Sequence, residues 1–406
     1  MNIGVAALAL FFVGSAHAVS FNEALARLVQ NSTAIKTSEF QMNSADVTRS
    51  QDSFLWSPSS ITLNRSRIYA PAESGGVANG TSLQGTWNLF HFGADYYKFR
   101  ASDYGFESAR WSSRAVRVET SWKLALTLID RLAIAHRRRI LENLQTQQEQ
   151  LVKVAQARYN KGLLSLEEAQ KSEIDLESAK TRLVQVEQLE NSSIETIRGQ
   201  IDEDLTELEW PWPAEINRKF LIRDHDLELS PAIKSLEAEY LSSSSEATSN
   251  KLALLPKVDL TGSKYFSGSD MVNGSYAVTI AVSVSLWSGF TDWAGSKTST
   301  LKRDLAKYSF ENKRKDLSAR KNAVLKNLNA AQLLVQRHLK LEGLAEKLLK
   351  VALRRFEMGR VTANDLFVEQ QRYVNTEEQL ISSFQGFYSS LSEFCLIKGQ
   401  EPGSCR

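Results

Sequence analysis

The distribution of proline constrains this 406-residue chain more than any other feature of its sequence. None of its seven prolines lies in the 139 positions between Pro71 and Pro211, or in the 145 positions between Pro256 and Pro402. Proline lacks a backbone donor and breaks helix interiors, so both stretches are free to form long helices. Their similar lengths suggest that one plan occurs twice.

Short matches at a nearly constant spacing indicate an internal duplication. Residues 32–36 resemble residues 230–234 at an offset of 198, which also carries Pro58 onto Pro256. After a one-residue gap the offset is 197 for three further pairs, namely 89–90 with 286–287, 153–155 with 350–352, and 158–162 with 355–359. Matches spread along the chain at one offset are typical of two copies of a repeat.

Two predicted strands occur in each copy, at about 60–69 and 81–89 and at about 257–266 and 275–286. The last strand has the clearest pattern, since apolar residues at even positions from 276 to 286 alternate with small or polar residues. Loops rich in Gly, Ser and Asn join the strands at 70–80 and 267–274. We therefore expect two β-hairpins.

Helices fill the remainder of each copy. A first helix, at about 20–54 or 229–253, precedes the strands. After the strands, long helices are expected at about 94–160 and 291–357, where roughly 67 residues span on the order of 100 Å. Returning helices are expected at about 165–203 and 363–398. The last helix has a coiled-coil seam interrupted by Gln370 and Glu377, with apolar positions Leu366, Tyr373, Leu380, Phe384, Phe387, Leu391 and Phe394.

Five segments are expected along the chain. Residues 1–18 combine an apolar run with Ala16-His17-Ala18, which is typical of a cleaved signal peptide. The first repeat occupies 19–202, a linker or small extra layer 203–228, the second repeat 229–398, and a C-terminal tail 399–406. In the tail region, Cys395 and Cys405 either form a disulfide in an oxidising compartment or remain free thiols.

Four strands pose a problem if they lie in a membrane. After residue 18, no segment contains the ~20 apolar residues that a membrane-spanning helix needs, so a crossing would use strands. About eight strands are needed to close a barrel around side chains, and open strand edges in lipid leave unsatisfied backbone groups. The fold class expected is therefore mostly α, with membrane hairpins from several identical chains closing one β-barrel.

Aromatic residues accompany the points where strands lead into helices. Such side chains either lie at a membrane–water interface, where amphipathic rings are favoured, or pack at the end of a sheet. The candidates are Trp87, Phe90, Phe92, Trp287, Phe290 and Trp293.

With these features together, the chain resembles the TolC family of outer-membrane efflux proteins over nearly its whole length after residue 18. The resemblance rests on the duplication, on the strand exits LFHFG at 89–93 and LWSGF at 286–290, and on the helix ends RYNKG at 158–162 and RFEMG at 355–359. It implies a homotrimer in which twelve strands form one barrel in outer-membrane lipid, continued by a long α-helical periplasmic tunnel. It also implies a periplasmic adaptor (membrane fusion) protein and an inner-membrane pump as partners.

The resemblance also points to residues at the periplasmic tip of the tunnel. Asp365 lies where the family often carries an acidic residue, and Glu168 is its counterpart in the first copy, whereas Val368 replaces a further acidic position. A ring of carboxylates would bind cations at a pore constriction, while the alternative is an acidic residue that only favours a helix N-terminus. Candidate adaptor contacts, or plain turns, are Gly162, Leu163, Leu164, Ser165, Gly359, Arg360, Val361 and Thr362.

Other functional classes have little support in the sequence. The net charge is +2, so no nucleic acid partner is expected. Neither a nucleophile–base set nor a phosphate-binding loop is apparent, and we expect no enzyme activity and no cofactor or metal. Residues 224–226, Asp-His-Asp, are weak metal ligands, and the basic run 136–139 is expected on a solvated face. The favoured function is an exit duct for efflux or type I secretion; the alternative is a non-transporting coiled-coil structural or adhesion protein.

Overall fold

The computed structural model describes residues 20–53, 59–69, 77–198, 211, 216–222, 227–267, 274–284 and 290–405. The expected signal peptide, Trp287 and the segment 224–226 lie outside these residues. Within the described residues, no helix is both long and apolar enough to cross a bilayer.

Two very long helices dominate the structure, α3 at Ala94–Asn160 and α6 at Thr291–Glu357. Each has 67 residues, which correspond to about 100 Å. The remaining helices are α1 at Phe21–Asn31, α2 at Thr33–Ser53, α4 at Leu166–Arg198, α5 at Pro231–Leu252 and α7 at Ala363–Lys398. The predicted bounds of the two long helices and of α7 agree with the structure.

The first helix was predicted as one element but consists of two. The backbone of Ser32 is extended, and its carbonyl accepts a 3.1 Å hydrogen bond from the N–H of Lys36. Asn31, Ser32 and Thr33 are residue types that favour helix ends over helix interiors because their side chains compete for backbone groups. The local sequence therefore ends α1 and starts α2.

A single antiparallel sheet joins the two halves of the chain in the order β1-β2-β3-β4. Its strands are β1 at Ser60–Tyr69, β2 at Val77–Phe90, β3 at Lys257–Ser267 and β4 at Gly274–Ser283. Strand β2 starts at Val77, four residues before the predicted start at 81, because its backbone pairing with β1 continues past Gly80 to the pair Tyr69–Val77. Strand β4 ends at Ser283, which pairs with Lys257, the first residue of β3, and the predicted positions 285 and 286 lie outside the described residues.

The main core lies around the middle of the helices. Trp122 of α3 and Phe387, Leu391 and Phe394 of α7 are fully buried there. Four described residues of the predicted linker segment also belong to this core: Ile216, Phe220, Ile222 and Leu227. This core fixes α3 against α7.

A disulfide closes the C-terminal tail over the same core. Cys395 and Cys405 are bonded with their Cα atoms 5.8 Å apart, and both are buried. The indole N–H of Trp122 donates a 2.8 Å hydrogen bond to the carbonyl of Gln400, which lies inside the closed loop. Of the two states that the sequence left open, the structure contains the disulfide.

Candidate functional site

The register of the sheet places its apolar side chains on one face. Directly opposed residues of antiparallel strands share a face, and the face repeats every second residue. One row across the four strands contains Ile61, Gly85, Gly262 and Val278. The next rows on that face contain Trp87, Leu260 and Ile280 on one side, and Leu63, Leu83, Lys264 and Tyr276 on the other.

The opposite face of the sheet carries small and polar side chains. Its central rows contain Ser60, Thr86, Thr261 and Thr279, followed by Thr62, Gln84, Ser263 and Ala277. In the single chain the apolar face is uncovered, with Val278 75% and Ile280 66% exposed. An exposed apolar patch marks a protein–protein or a membrane interaction site. The two faces of the sheet therefore suit different surroundings, one apolar and one polar.

Glycines and one indole ring shape the centre of the apolar face. A Cβ atom at Gly85 would lie 2.9 Å from the Trp87 ring, and one at Gly262 would lie 3.6 Å from it. The ring thus lies across two strands, in space left by the two glycines. The sequence predicted Trp87 as an interface aromatic but gave no sign of these glycines, whose contact depends on the pairing of β2 with β3.

Exposed aromatic residues mark the strand ends next to the long helices. Phe90, Phe92, Phe290 and Trp293 are all exposed, and the rings of Phe90 and Phe92 lie 4.9 Å apart. Of these four, only the indole of Trp293 is amphipathic, which suits a membrane–water interface.

At the far end of the long helices, two turns have the same construction. Gly162 and Gly359 adopt left-handed conformations, with φ of 72° and 70°, as expected at helix C-termini. The N–H of Leu163 donates to the carbonyl of Arg158 at 2.9 Å, and the N–H of Arg360 donates to that of Arg355 at 2.8 Å. Each turn then leads directly into a returning helix.

Both predicted carboxylates cap those returning helices. The Asp365 carboxylate accepts a 3.1 Å hydrogen bond from the backbone N–H of Thr362 and a 2.8 Å bond from its hydroxyl. The side chain of Ser165 likewise donates to the Glu168 carboxylate at 3.3 Å. Hydrogen bonds from the Thr362 hydroxyl, followed by its N–H, lower the pKa of Asp365. Asp365 is exposed and ionised, so the same carboxylate caps the helix and presents a negative charge to solvent.

The two turns also meet in one open cleft of about 360 Å³. Most of the predicted tip residues line it: Leu163, Leu164, Glu168, Gly359, Arg360, Val361, Thr362 and Asp365. Gly162 and Ser165 lie in the first turn but outside the lining. Arg158 and Phe356, which the sequence did not single out as site residues, lie there with the guanidinium carbon 4.9 Å from the ring centroid.

Polar contacts bind the two helical hairpins to each other above the cleft. Lys171 of α4 donates a hydrogen bond to Asn364 of α7. Further from the two turns along the same helices, Arg182 of α4 forms a salt bridge with Glu378 of α7 at 3.0 Å. Burial raises the pKa of the nearby Asp175 carboxyl, and Lys171 opposes that shift. These contacts fix how far apart the two turns lie.

The basic run at 136–139 is only partly solvated, which corrects the prediction of a solvated face. His136 and Arg137 are half-buried, and Arg137 donates a 3.1 Å hydrogen bond to Gln385. Burial and the charge of Arg139 lower the pKa of His136. Neighbouring helices cover this side of α3, and a sequence pattern on one helix does not reveal such a neighbour.

No set of three His, Cys, Asp or Glu side chains that could hold a metal ion occurs in the described part of the chain.

No protein-family model and no curated protein matches this sequence. Solved structures do match it. The outer membrane channel CmeC of Campylobacter jejuni has a TM-score of 0.79 at 15% identity, covering 93% of this chain and 85% of that one. The outer membrane protein VceC of Vibrio cholerae has 0.77 at 14%, covering 94% and 96%. The MtrE outer membrane channel of Neisseria gonorrhoeae has 0.72 at 14%, covering 94% and 89%. At these identities the similarity establishes the fold: this chain folds as outer membrane channels of the TolC type do, as its sequence predicted.

Proposed function

We propose that this chain is one protomer of a trimeric exit duct in the outer membrane, which extends into the periplasm and passively conducts substrates outward. One observation carries the proposal: in the central rows of the sheet, apolar side chains lie on one face and small or polar side chains on the other, and the apolar face is uncovered. Such a sheet fits a wall between lipid and a water-filled lumen. A structural or adhesion protein has no need of this segregation.

Completion of the wall requires further copies of the chain. Strands β1 and β4 are the outer strands of the sheet, and each has one edge without a strand partner in the described residues. In lipid, an unpaired edge costs several kcal/mol for each unsatisfied group. Pairing β4 of one copy with β1 of the next removes both edges. Three copies give twelve strands, which is enough to surround a lumen. We propose this barrel together with the internal duplication of the chain and its division into the five expected segments.

The helices offer a matching contact between copies. Within the chain, α4 packs against α3, α3 against α7, and α7 against α6, so α4 and α6 are the outer helices of the row. Helix α6 has exposed apolar residues that follow one another at spacings of seven, three, four and three residues: Leu334, Leu341, Leu344, Leu348 and Val351. This spacing is typical of a coiled-coil seam. We infer that it packs against α4 of the next copy and closes a helical tunnel.

The cleft between the two turns is the proposed contact for a periplasmic adaptor, through which an inner-membrane pump would deliver substrate. Its lining combines exposed apolar residues such as Leu163 with the charged Arg360 and Asp365. Around a three-fold axis, Asp365 and Glu168 would contribute a ring of negative charge at the narrow end of the tunnel. The energy for transport comes from the pump, since the duct itself needs no catalytic group or cofactor.

A direct test combines fractionation, crosslinking and conductance. The mature chain should sediment with outer membranes, crosslink as a trimer and form channels in planar bilayers. A cysteine pair placed on β1 and β4 should crosslink only between copies, whereas a pair on β1 and β2 should crosslink within one copy. A monomer that stays in aqueous solution and conducts no ions would refute the proposal.

A further inference from the structure

We propose that Lys264 and Arg65 bind the phosphate group of an anionic membrane lipid, near the end of the sheet that points away from the helices. The inference rests on the proposed function, because it assumes that the apolar face of the sheet contacts lipid. The ligand is a lipid and not free phosphate, since lipid is the molecule that covers this face.

Lys264 is a cation in the apolar face itself. The register places it in one row with Leu63, Leu83 and Tyr276. Its Nζ atom lies 5.1 Å from the ring centroids of both Phe266 and Tyr276. These cation–π contacts hold the ammonium group at the surface of the sheet without neutralising its charge.

Arg65 lies on the same face, next to Lys264. It shares a row with Thr81 and Phe266, two residues beyond Lys264 along the strands. Strands β1 and β3 are separated by β2, so the two positions are about 10 Å apart across the sheet and about 7 Å apart along it, which makes about 12 Å in all. Arg65 is exposed. Two long, flexible cations at this separation can converge on one headgroup.

Neither Lys264 nor Arg65 has an anionic partner in the described residues, whereas Lys257 on the same sheet has one. Lys257, at the other end of β3, forms a 3.1 Å salt bridge with Asp259. Lys264 forms cation–π contacts with two aromatic rings, and neither Lys264 nor Arg65 forms an ion pair within the part of the chain that the structure describes. An uncompensated cation is costly in hydrocarbon and much less so at the headgroup level. At that level, both cations are available to bind an anion from outside the protein.

The position along the strands agrees with the headgroup level. Between Lys264 and the helix end of β3, the apolar face contains Gly262, Leu260 and Val258. Beyond Lys264, β3 ends at Ser267, so the basic residues lie at the border of the apolar rows. Exposed aromatics mark the opposite border next to the helices. Both ends of the sheet thus carry aromatic residues, but Lys264 and Arg65 lie at the end away from the helices, where lipid phosphates attract lysine and arginine.

Native mass spectrometry of the trimer in nanodiscs tests this assignment. The parent chain is compared with Lys264→Gln, Arg65→Gln and the double variant, in phosphatidylcholine with and without phosphatidylglycerol. Each single variant should reduce the preference for phosphatidylglycerol about 5-fold, and the double variant about 25-fold. The matched control is Lys257→Gln, which removes the same charge from the same strand but from the other face and from an existing ion pair. Its lipid preference should equal that of the parent.

The possible outcomes distinguish failure of the lipid site from failure of the proposed duct. Equal lipid preference in all variants, with intact trimers in the nanodiscs, would overturn the lipid site and leave the proposed duct intact. Displacement of phosphatidylglycerol by inorganic phosphate at equal concentration would overturn the assignment to a lipid. Failure of the parent chain to insert would overturn the proposed duct and the lipid site together.

Discussion

The side-chain amide of Gln148 donates a 2.7 Å hydrogen bond to the amide oxygen of Gln370, and the two residues are only 2% and 1% exposed. The bond connects α3 to α7, and therefore one helical hairpin to the other. Gln370 donates a further 3.0 Å hydrogen bond to Gln147. A buried polar pair in an otherwise apolar seam favours one register of the helices, because any shift leaves its groups unpaired.

The first prediction concerns this pair. Gln370→Ala leaves the buried amide of Gln148 unsatisfied and should lower the free energy of unfolding by about 1–3 kcal/mol. The double variant Gln148→Leu/Gln370→Leu removes both partners and should be close to neutral. Urea unfolding followed by circular dichroism measures both effects. Equal destabilisation by the single and the double variant would contradict the role of the hydrogen bond.

Neighbouring residues of β4 should tolerate a charge very differently. Ile280→Lys places a cation on the apolar face and should cost about 2–4 kcal/mol near the membrane midplane, whereas Thr279→Lys places it on the polar face, which lines the lumen of the proposed barrel, at little cost. Refolding into lipid vesicles, followed by heat-modifiable migration on gels, compares the two variants. If Thr279→Lys impairs insertion as much as Ile280→Lys does, the faces have been assigned incorrectly.

Charge at the tip should influence the passage of ions. Asp365→Asn and Glu168→Gln remove carboxylates that line the cleft, so block by divalent cations in planar-bilayer recordings should weaken. Glu167→Gln is the matched control, because Glu167 is exposed in the same helical turn as Glu168 but does not line the cleft. Unchanged block in the Asp365 variant would show that this carboxylate acts only as a helix cap.

The Asp365 cap should also make stability depend on pH in a defined direction. Its pKa is lowered in the folded chain by hydrogen bonds from Thr362. The stabilisation is therefore complete above the unfolded pKa of aspartate and is lost as pH falls through the folded pKa. The difference in melting temperature between the parent and Asp365→Asn should persist at neutral pH and shrink in acid. A difference that stays constant down to acidic pH would contradict this linkage.

The disulfide should stabilise the middle of the molecule. It joins residues separated by 10 positions, and a loop of this length corresponds to about 3 kcal/mol in the chain-entropy description. Reductant should lower the urea midpoint of the parent chain. It should have no effect on the double variant Cys395→Ala/Cys405→Ala. A parent midpoint that is insensitive to reductant would show that the bond contributes little.

Periodicity and breakers in the sequence determined most of the fold. Long stretches without proline contain α3 and α6, because helix formation depends on local backbone hydrogen bonds that proline would break. The alternation at 276–286 identified β4. Similarly, Gly162 and Gly359 marked the tip turns, since a left-handed helix end favours glycine whatever surrounds it.

Tertiary structure decided everything that depends on which neighbour an element acquires. The sequence identified Gln370 only as an interruption of a seam, and the packing of α3 on α7 supplied Gln148 as its partner. Likewise, Lys264 acquires its place in an apolar row between two aromatic rings only through the pairing of β3 with β4. The physical reason is range: helix and strand periods are set within a few residues, whereas contacts between strands and helices join residues far apart in the chain.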